Sequence, residues 1–407
     1  MKIIIVDPLF SPLGGGQIIA YNTYKLLKLF GQEVFYWATD RKPYFEEDYK
    51  YAEFFTKCNL SSLDYIKNPI KYYYNFQAKE DLDKFIDVIK PDLIHIHGLQ
   101  GLSSSIFNSC KNIPTVMTLH DASLICPANT FLKGDEFDCI NKYCQNGKFF
   151  NCLKYKCCSK LEPSLRRFIR AQINLMSLKN INKFITPSNK LRERVLRANI
   201  GINESDIVTI NNFLSKSEYN IKPNFDNNGY FLYAGRLSKE KGVHYLLQVL
   251  KELPKEIVIH IVGKGPDEEK LKQYVKENGL NNIKFLGFKN REEIKEEYQN
   301  CIATILPCNW FEIFGMTNIE AFINGKPVIA SNIGAIPEVV EHNKTGLLFE
   351  PANVEQLKEC ILKYWNNPKL VVEHGKNAYE KAKTQYTEER YYNDLLNVYS
   401  EVLNNAK

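Results

Sequence analysis

The sequence predicts an α/β protein made of two doubly wound, Rossmann-like domains that face each other across a cleft. Short runs rich in Val, Ile and aromatic residues alternate with amphipathic segments along the chain, and this alternation is typical of parallel sheets covered by helices on both faces. The alternation stops at a polar stretch, 222–229, and then restarts. The length of 407 residues suits two domains of roughly 200 residues each.

Strands and helices alternate through the first half of the chain. Each strand is predicted from a short apolar run, and each helix from apolar residues that recur every three or four positions. The predicted strands are 2–7, 33–39, 92–97, 114–119, 183–186 and 206–211. The predicted helices are 16–30, 78–90, 164–180 and 188–198.

The second half repeats the same alternation. Its predicted strands are 230–234, 257–262, 283–286, 301–306 and 327–330. Its predicted helices are 241–252, 266–279, 290–299, 315–324 and 353–366. We therefore expect one domain over 1–212, a second over 213–385, and a helix within 386–407 that crosses back to the first domain.

Composition excludes two broad classes of protein. With 44% hydrophobic residues the chain is too apolar to be disordered, and no stretch approaches the roughly 20 apolar residues of a membrane span. The N-terminal MKIIIVDPLF is too short for a signal peptide and is predicted to be the first strand, so we expect a cytoplasmic protein. The net charge of +6 belongs to residues 1–212, which hold 28 basic and 21 acidic residues.

Six of the eleven cysteines lie in an insert at about 126–160. The paired spacing of four of them is compatible with a structural zinc ion; these are Cys139, Cys144, Cys152 and Cys157. A disulfide and a set of reduced thiols without any bond are the alternatives, and both stay open at this point.

A strongly basic stretch overlaps this insert. From Cys139 to Arg192 there are twelve Lys and Arg residues and a single acid, Glu162. Segment 164–184 alternates apolar and basic residues at helical spacing, so it could lie on an anionic membrane surface. An ordinary half-buried helix with a solvated basic face explains the pattern equally well. No nucleic-acid recognition motif accompanies it, and we expect no nucleic-acid partner.

Glycines and charged residues follow several predicted strands. The first strand leads to Gly14, Gly15 and Gly16, which can bring backbone N–H groups close to an anion. His120 follows the fourth strand and can bond a ligand hydroxyl. In the second half, the groups that fit a diphosphate are two glycines and two cations; they are Gly235, Arg236, Lys241 and Gly263.

The sharpest feature is a pair of glutamates eight positions apart, Glu312 and Glu320, on either side of Gly315. A helix that begins near Gly315 would direct its free N–H groups at an anion, while the two carboxylates would accept hydrogen bonds from sugar or ribose hydroxyls. Glycoside hydrolases also use two carboxylates, but hydrolysis gives no reason for the phosphate-type loops.

Five segments together resemble the retaining glycosyltransferases of family 4, which have the GT-B fold: PLGGGQ, TLHD, YAGRLSKEKG, IVGKGP and FEIFGMTNIEAFINGKPVIASNIGAIPEVV. The resemblance covers essentially the whole chain and is strongest over 229–350. The Cys-rich insert after His-Asp is similar to a bacterial subgroup of this family. Gln17, where many members have Glu, and Ile313, where Gly is frequent, depart from the pattern.

The resemblance implies a role for each matching residue. The residues implied in catalysis are Arg236 and Lys241 on the diphosphate, Glu312 on the donor sugar and His120 near the sugar. The residues implied in donor binding are Gly15, Gly16, Gly235, Gly263, Phe288, Phe314, Gly315, Met316, Thr317 and Glu320, the last on the ribose hydroxyls.

The implied activity is transfer of a sugar, with retention and without a catalytic metal, from a UDP- or GDP-sugar. The implied acceptor is a glycan or a lipid-linked glycan of cell-surface polysaccharide, handled by the first domain at the inner face of the membrane. Two alternatives share the fold, namely a catalytically silent scaffold that binds nucleotide sugars and a nucleotide-sugar epimerase. The epimerase, like a nucleotide-sugar hydrolase of the same fold, fits the glycine loop but fits the Glu-x7-Glu pattern less well.

Overall fold

The protein is described by a computed structural model that covers the following residues: 1–10, 14–40, 51–57, 69–129, 131–133, 136–137, 144–155, 157, 161–226 and 229–405. The chain divides into two compact units. One contains Met1–Asn212 together with Glu389–Lys407, and the other contains Phe213–Glu388.

The first unit is built on a parallel sheet of six strands. A short antiparallel hairpin is inserted in the chain between the fourth and fifth of these strands. The strands are β1 (Lys2–Val6), β2 (Glu33–Trp37), β3 (Leu93–Ile96), β4 (Thr115–Thr118), β5 (Leu132–Lys133), β6 (Glu136–Phe137), β7 (Lys183–Thr186) and β8 (Ile207–Thr209). The sheet order is β2-β1-β3-β4-β7-β8, and β5 pairs with β6. The chain changes direction across the sheet between β1 and β3, and in such sheets ligands bind beyond the carboxyl ends at this switch point.

Two helices of the first unit begin at a residue whose side chain caps the helix. The helices of this unit are α1 (Gly15–Leu29), α2 (Pro69–Tyr73), α3 (Phe76–Ile89), α4 (Ser105–Ser109), α5 (Asn151–Lys154), α6 (Leu161–Met176) and α7 (Asn189–Ala198). The Asn75 side chain accepts a hydrogen bond from Ala78 N at the start of α3, and Ser188 does the same at the start of α7. The strands between these helices are almost fully buried, as both-face coverage requires.

The second unit has a second six-stranded parallel sheet. Its strands are β9 (Tyr230–Ala234), β10 (Ile259–Val262), β11 (Ile283–Gly287), β12 (Cys301–Leu306), β13 (Val328–Ser331) and β14 (Gly346–Phe349). They are ordered β11-β10-β9-β12-β13-β14. This order reverses between β9 and β12, so the switch point of the second sheet lies beyond the ends of those two strands.

Helices cover this sheet on both faces. They are α8 (Lys216–Tyr219), α9 (Val243–Leu250), α10 (Glu268–Glu277), α11 (Arg291–Asn300), α12 (Met316–Ile323), α13 (Ile336–Val339), α14 (Val354–Trp365) and α15 (Pro368–Gln385). A final helix, α16 (Glu388–Asn405), follows. Its residues belong to the first unit, where the hydroxyl of Tyr391 lies 3.1 Å from that of Thr23.

The predicted fold class is confirmed, since both sheets are parallel and helix-covered. All eleven predicted strands are present within two residues of their predicted bounds. The elements that were not predicted are β14, the hairpin of β5 and β6, helix α15 and the short helices α2, α4, α5, α8 and α13. The predicted basic segment also extends too far, because the helix ends at Met176 and Lys183 lies buried in β7, paired with Glu401 at 2.5 Å.

The described part of the insert does not support the expected zinc site. Cys139 lies outside the described residues, and within them no cluster of three His, Cys, Asp or Glu side chains could hold a metal. The physical reason is the direction of one thiol. Cys152 is buried by α5 and directs its Sγ to the carbonyl oxygen of Ser164, 3.7 Å away. Cys144 is also buried, and burial raises the pKa of its thiol to about 12, with further contributions from Cys126 and Cys157.

Candidate functional site

Two loops lie next to each other at the switch point of the second sheet. The first runs from Gly235 after β9 to the start of α9, and the second runs from Pro307 after β12 to the start of α12. They are joined by a hydrogen bond from Asn309 N to the carbonyl oxygen of Glu240, 3.0 Å long. The predicted cations and carboxylates of this unit therefore belong to adjacent loops at one edge of one sheet.

The central contact is an ion pair between Lys241 and Glu312. Their side-chain atoms Nζ and Oε2 are 2.6 Å apart, and the side chains are only 21% and 14% exposed. Trp310 supports both partners, because its Nε1 donates to Glu312 at 3.2 Å and its ring lies 5.0 Å from the Lys241 ammonium. Burial alone would lower the pKa of Lys241, but attraction to Glu312 outweighs it and the pKa is raised. The site thus holds a fully charged ammonium.

Glycine is required at two positions of these loops. Gly242 has φ +74°, and a Cβ there would lie 1.8 Å from the carbonyl oxygen of Pro307. Gly263 has φ +136°, and a Cβ there would lie 1.9 Å from the carbonyl oxygen of Gly235. Both conformations disfavour any other residue. The missing side chains let three backbone segments approach one another closely.

Arg236 and Phe288 are the exposed members of the predicted set. The Arg236 side chain has no hydrogen bond or ion pair with any described residue, while its carbonyl oxygen accepts from Tyr233 Oη at 2.7 Å. Phe288 is 70% exposed and follows β11. Phe314 is different, since its ring is buried against Tyr386 with the ring centres 5.7 Å apart. Only the Phe314 backbone could meet a ligand.

The start of α12 is fixed in place by its neighbours. Gly315 is the N-cap at φ +89°, and Met316 and Thr317 follow in the first turn, where backbone N–H groups lack helical partners. The carbonyl oxygen of Glu312 accepts from Ala335 N at 2.8 Å, so the loop before the helix is tied to the one after β13. The N-terminal end of this helix is a suitable place for an anion.

Glu320 lies in the second turn of α12 and is half-buried. The hydroxyl of buried Tyr298 donates to its Oε2 at 2.8 Å. Burial raises the pKa of Glu320, and the Tyr298 hydrogen bond partly opposes that rise. Within the described residues no hydrogen bond joins Glu320 to Glu312, so the two predicted carboxylates have separate partners.

The first unit carries a second polar group at its own switch point. Asp7, His97 and His120 directly or closely follow β1, β3 and β4. His97 Nδ1 lies 2.8 Å from His120 Nε2. Gly16, in the first turn of α1, packs against the same ring, because a Cβ there would lie 3.0 Å from the Cβ of His120. Gly15 begins α1, and a Cβ there would meet nothing within 4 Å.

Asp7 is buried, and that burial raises its pKa to about 7 although Leu9 N donates to its carboxylate. Between pH 4 and pH 7 the unfolded chain therefore ionises Asp7 while the folded chain keeps the proton. The contribution of Asp7 to the free energy of unfolding is therefore complete below pH 4. Above pH 4 it falls by about 1.4 kcal/mol per pH unit, and it is lost as the pH rises through 7.

The variant Asp7→Asn should show this loss as a difference. We expect its free energy of unfolding, measured with urea and compared with the native chain, to improve steadily from pH 5 to pH 7 and then level off. The comparison cancels the opposite pH dependence of the histidines whose pKa burial lowers, since they are present in both proteins. Asp121→Asn, which removes an exposed carboxylate that also accepts from a backbone N–H, is the matched control for the loss of one carboxylate. A difference between Asp7→Asn and the native chain that stays constant from pH 5 to pH 7 would contradict the raised pKa.

Three side chains that hold the predicted site residues in place were not themselves predicted to belong to the site. Trp310 holds Glu312, Tyr298 holds Glu320, and His97 holds His120. Trp310 could have been suspected from its position two residues before Glu312. Tyr298 carries no such signal, because its contact arises from the packing of α11 on α12.

Comparisons with known proteins agree with this geometry. A family model described as Glycosyltransferase Family 4 matches residues 13–217, and one described as Glycosyl transferases group 1 matches residues 215–381. An uncharacterized glycosyltransferase of Methanocaldococcus jannaschii is 25% identical over 407 residues, 99% of each chain. The O-antigen chain mannosyltransferase C of Escherichia coli is 27% identical over 176 residues, 43% of this chain and 47% of that one. The crystal structure of Anabaena HepE in complex with UDP and glucose shares the fold, with a TM-score of 0.71 at 19% identity over 98% of this chain and 100% of that one.

Proposed function

The chain belongs to glycosyltransferase family 4, and on that basis we propose that it transfers a sugar with retention from a nucleotide-diphospho-sugar to a glycan or lipid-linked acceptor. Family membership makes it a glycosyltransferase with the GT-B fold. The observation that supports the finer proposal most directly is the buried Lys241–Glu312 pair beside the exposed Arg236, at the switch point of the second sheet.

We assign the donor diphosphate to Arg236, Lys241 and the start of α12. When the bond between sugar and diphosphate breaks, negative charge grows on the diphosphate oxygens. Two fixed cations and the N–H groups of Gly315, Met316 and Thr317 would stabilise that charge in the transition state. Glu312 holds the Lys241 ammonium in place before the donor arrives. The acceptor hydroxyl would attack from the face that the diphosphate leaves, with a phosphate oxygen taking its proton.

The remaining predicted residues would hold the rest of the donor. We assign Glu312 and His120 to the transferred sugar, Glu320 to the ribose hydroxyls, and the segment 286–288 at the end of β11 to the base. Further backbone contacts come from residues that lack bulky side chains or bury them; they are Gly15, Gly16, Gly235, Gly263 and Phe314. The UDP and glucose in HepE support a UDP-sugar, and a GDP-sugar is the second candidate.

The acceptor is proposed to be a growing cell-surface glycan at the cytoplasmic face of the membrane. The E. coli relative is named for the O-antigen chain, which supports this class of acceptor. No helix in the described ranges is both long and apolar enough to cross a bilayer. Helix α6 exposes Leu165 and Met176, but Arg167 and Arg170 donate to backbone carbonyls. Both guanidinium groups keep their charge in these bonds, so a contact with anionic lipid would use the basic and the exposed apolar residues of α6 together, and co-sedimentation with phosphatidylglycerol vesicles tests it directly.

A panel of UDP- and GDP-sugars tests the proposal. We expect slow hydrolysis or transfer from one donor, unchanged by EDTA, and a product whose anomeric configuration by NMR matches the donor. Binding of a nucleoside diphosphate without any turnover would favour the silent scaffold, and appearance of an isomeric nucleotide sugar would favour the epimerase. Inversion of configuration would contradict the proposed mechanism, and failure to bind any member of the panel would contradict the donor class.

A further inference from the structure

His97 and His120 form a hydrogen-bonded pair at the carboxyl edge of the first sheet. Their facing nitrogens, Nδ1 of His97 and Nε2 of His120, are 2.8 Å apart, and the two rings are within 15° of parallel. His97 is 3% exposed, and its other nitrogen, Nε2, is buried with no hydrogen-bond partner among the residues that the structure describes. Because Nε2 of His120 is occupied by His97, the ring nitrogen of His120 left for a ligand is Nδ1.

Only one proton can lie between the two facing nitrogens. Burial lowers the pKa of His120 to about 4, and burial with the neighbouring rings lowers the pKa of His97 well below its ordinary value. Both rings are therefore neutral near pH 7, and a neutral imidazole carries a single N–H. Whichever ring donates, the hydrogen bond at Nε2 of His120 determines whether its Nδ1 is a donor or an acceptor.

The pair is held from both sides, so neither ring can turn away. Gly16 lies against the Cβ and ring of His120. On the far side, His95 packs on His97 with the ring centres 4.1 Å apart. His95 is itself fixed through both ring nitrogens, which lie 2.7 Å from Tyr399 Oη and 2.7 Å from Thr118 Oγ1.

We infer that His97 is a positioning residue that holds His120 in a single tautomer and presents its Nδ1 to the ligand. The inference rests on the proposed function only for the identity of that ligand, a hydroxyl of the transferred sugar. A sugar hydroxyl can donate or accept, but a fixed tautomer accepts or donates in one sense only. His97 would thus determine whether the bound sugar hydroxyl donates a hydrogen bond to Nδ1 of His120 or accepts one from it.

Two substitutions of His97 separate this role from ordinary packing. His97→Asn keeps a polar amide near the position of Nδ1, able to donate or accept, whereas His97→Leu keeps the bulk and loses the hydrogen bond. In nitrogen-15 NMR spectra of the full chain at pH 7, we expect one neutral tautomer for His120 in the native protein and in His97→Asn. In His97→Leu we expect two tautomers in exchange. We also expect the KM of the donor to rise about tenfold in His97→Leu, with kcat changed less, and to return within threefold of native in His97→Asn.

The matched control is Tyr399→Phe, which removes one hydrogen bond from the neighbouring buried histidine without touching the pair. It should lower thermal stability but leave the His120 spectrum and the donor KM as in the native protein. A single unchanged tautomer in His97→Leu would overturn the inference, as would a mixture already present in the native chain. Expected spectra with a KM that no variant changes would instead contradict the assignment of His120 to the donor sugar, so the two failures are distinguishable.

Discussion

Replacing Lys241 with methionine is expected to lower kcat by about a hundredfold to a thousandfold, the range found when one preorganised group on a developing charge is lost. Methionine keeps most of the aliphatic length and removes the ammonium. The effect should fall on kcat more than on the donor KM, because the charge on the leaving diphosphate is greatest in the transition state. Initial rates with the donor identified by the panel, measured over a range of concentrations, give both constants.

The same change leaves the buried Glu312 carboxylate without its ion-pair partner, so folding must be checked separately. Thermal melting of Lys241→Met and of the double variant Lys241→Met with Glu312→Gln will show whether the unpaired charge destabilises the second unit. Lys239→Met, an exposed lysine two residues earlier in the same turn, should keep native kinetics. The assignment is wrong if a folded Lys241→Met retains a third or more of native kcat.

Replacing Glu320 with glutamine is expected to raise the donor KM by roughly tenfold to a hundredfold while kcat changes little, since hydrogen bonds to charged groups contribute about 1.5–3 kcal/mol. Glutamine keeps the size of the side chain and one carbonyl acceptor. It loses the negative charge and the second oxygen. Tyr298 can still donate to the remaining oxygen, so the fold of α12 should be preserved.

Donors that lack one ribose hydroxyl make this test specific to the assigned contact. The native enzyme should lose affinity for the 2′-deoxy or the 3′-deoxy donor, whereas Glu320→Gln should lose little more for that same donor. Glu269→Gln, at a carboxylate that is 92% exposed on α10, should behave as native with every donor. Equal losses in Glu320→Gln and in the native chain for both deoxy donors would show that Glu320 does not bind the ribose.

Much of the fold could be predicted because the strands are short, continuous apolar runs bounded by turn residues. The exceptions have local causes. Helix α15 has Gly375 near its middle, and an isolated glycine in a helical pattern argues against predicting a helix there. In the structure a Cβ at Gly375 would lie 2.3 Å from the carbonyl oxygen of Gly325, so close packing of α15 requires the glycine. Strand β14 begins with Gly346 and offers an apolar run of only three residues, Leu347 to Phe349, before Glu350.

The residues of the candidate site could be predicted from their type and from their position after a strand. The contacts that their side chains make with one another could not. Lys241 and Glu312 are 71 residues apart, and no spacing rule connects them. Their pairing follows from the order of β9 and β12 in the sheet, which only the folded chain establishes. The partners of Glu320 and His120 likewise come from tertiary packing.

The placement of α16 in the first unit has a consequence for synthesis of the protein. The hydroxyl of Thr23 is hydrogen-bonded to that of Tyr391, 368 positions later in the chain, and Lys183 forms an ion pair with Glu401, 218 positions later. On the ribosome, these contacts cannot form until the whole second unit has emerged. The second unit is continuous over Phe213–Glu388, needs no such wait, and can complete its fold earlier. Residues made first are therefore among the last to reach their native environment, and the nascent first unit depends on chaperones or on its own partial core for that interval.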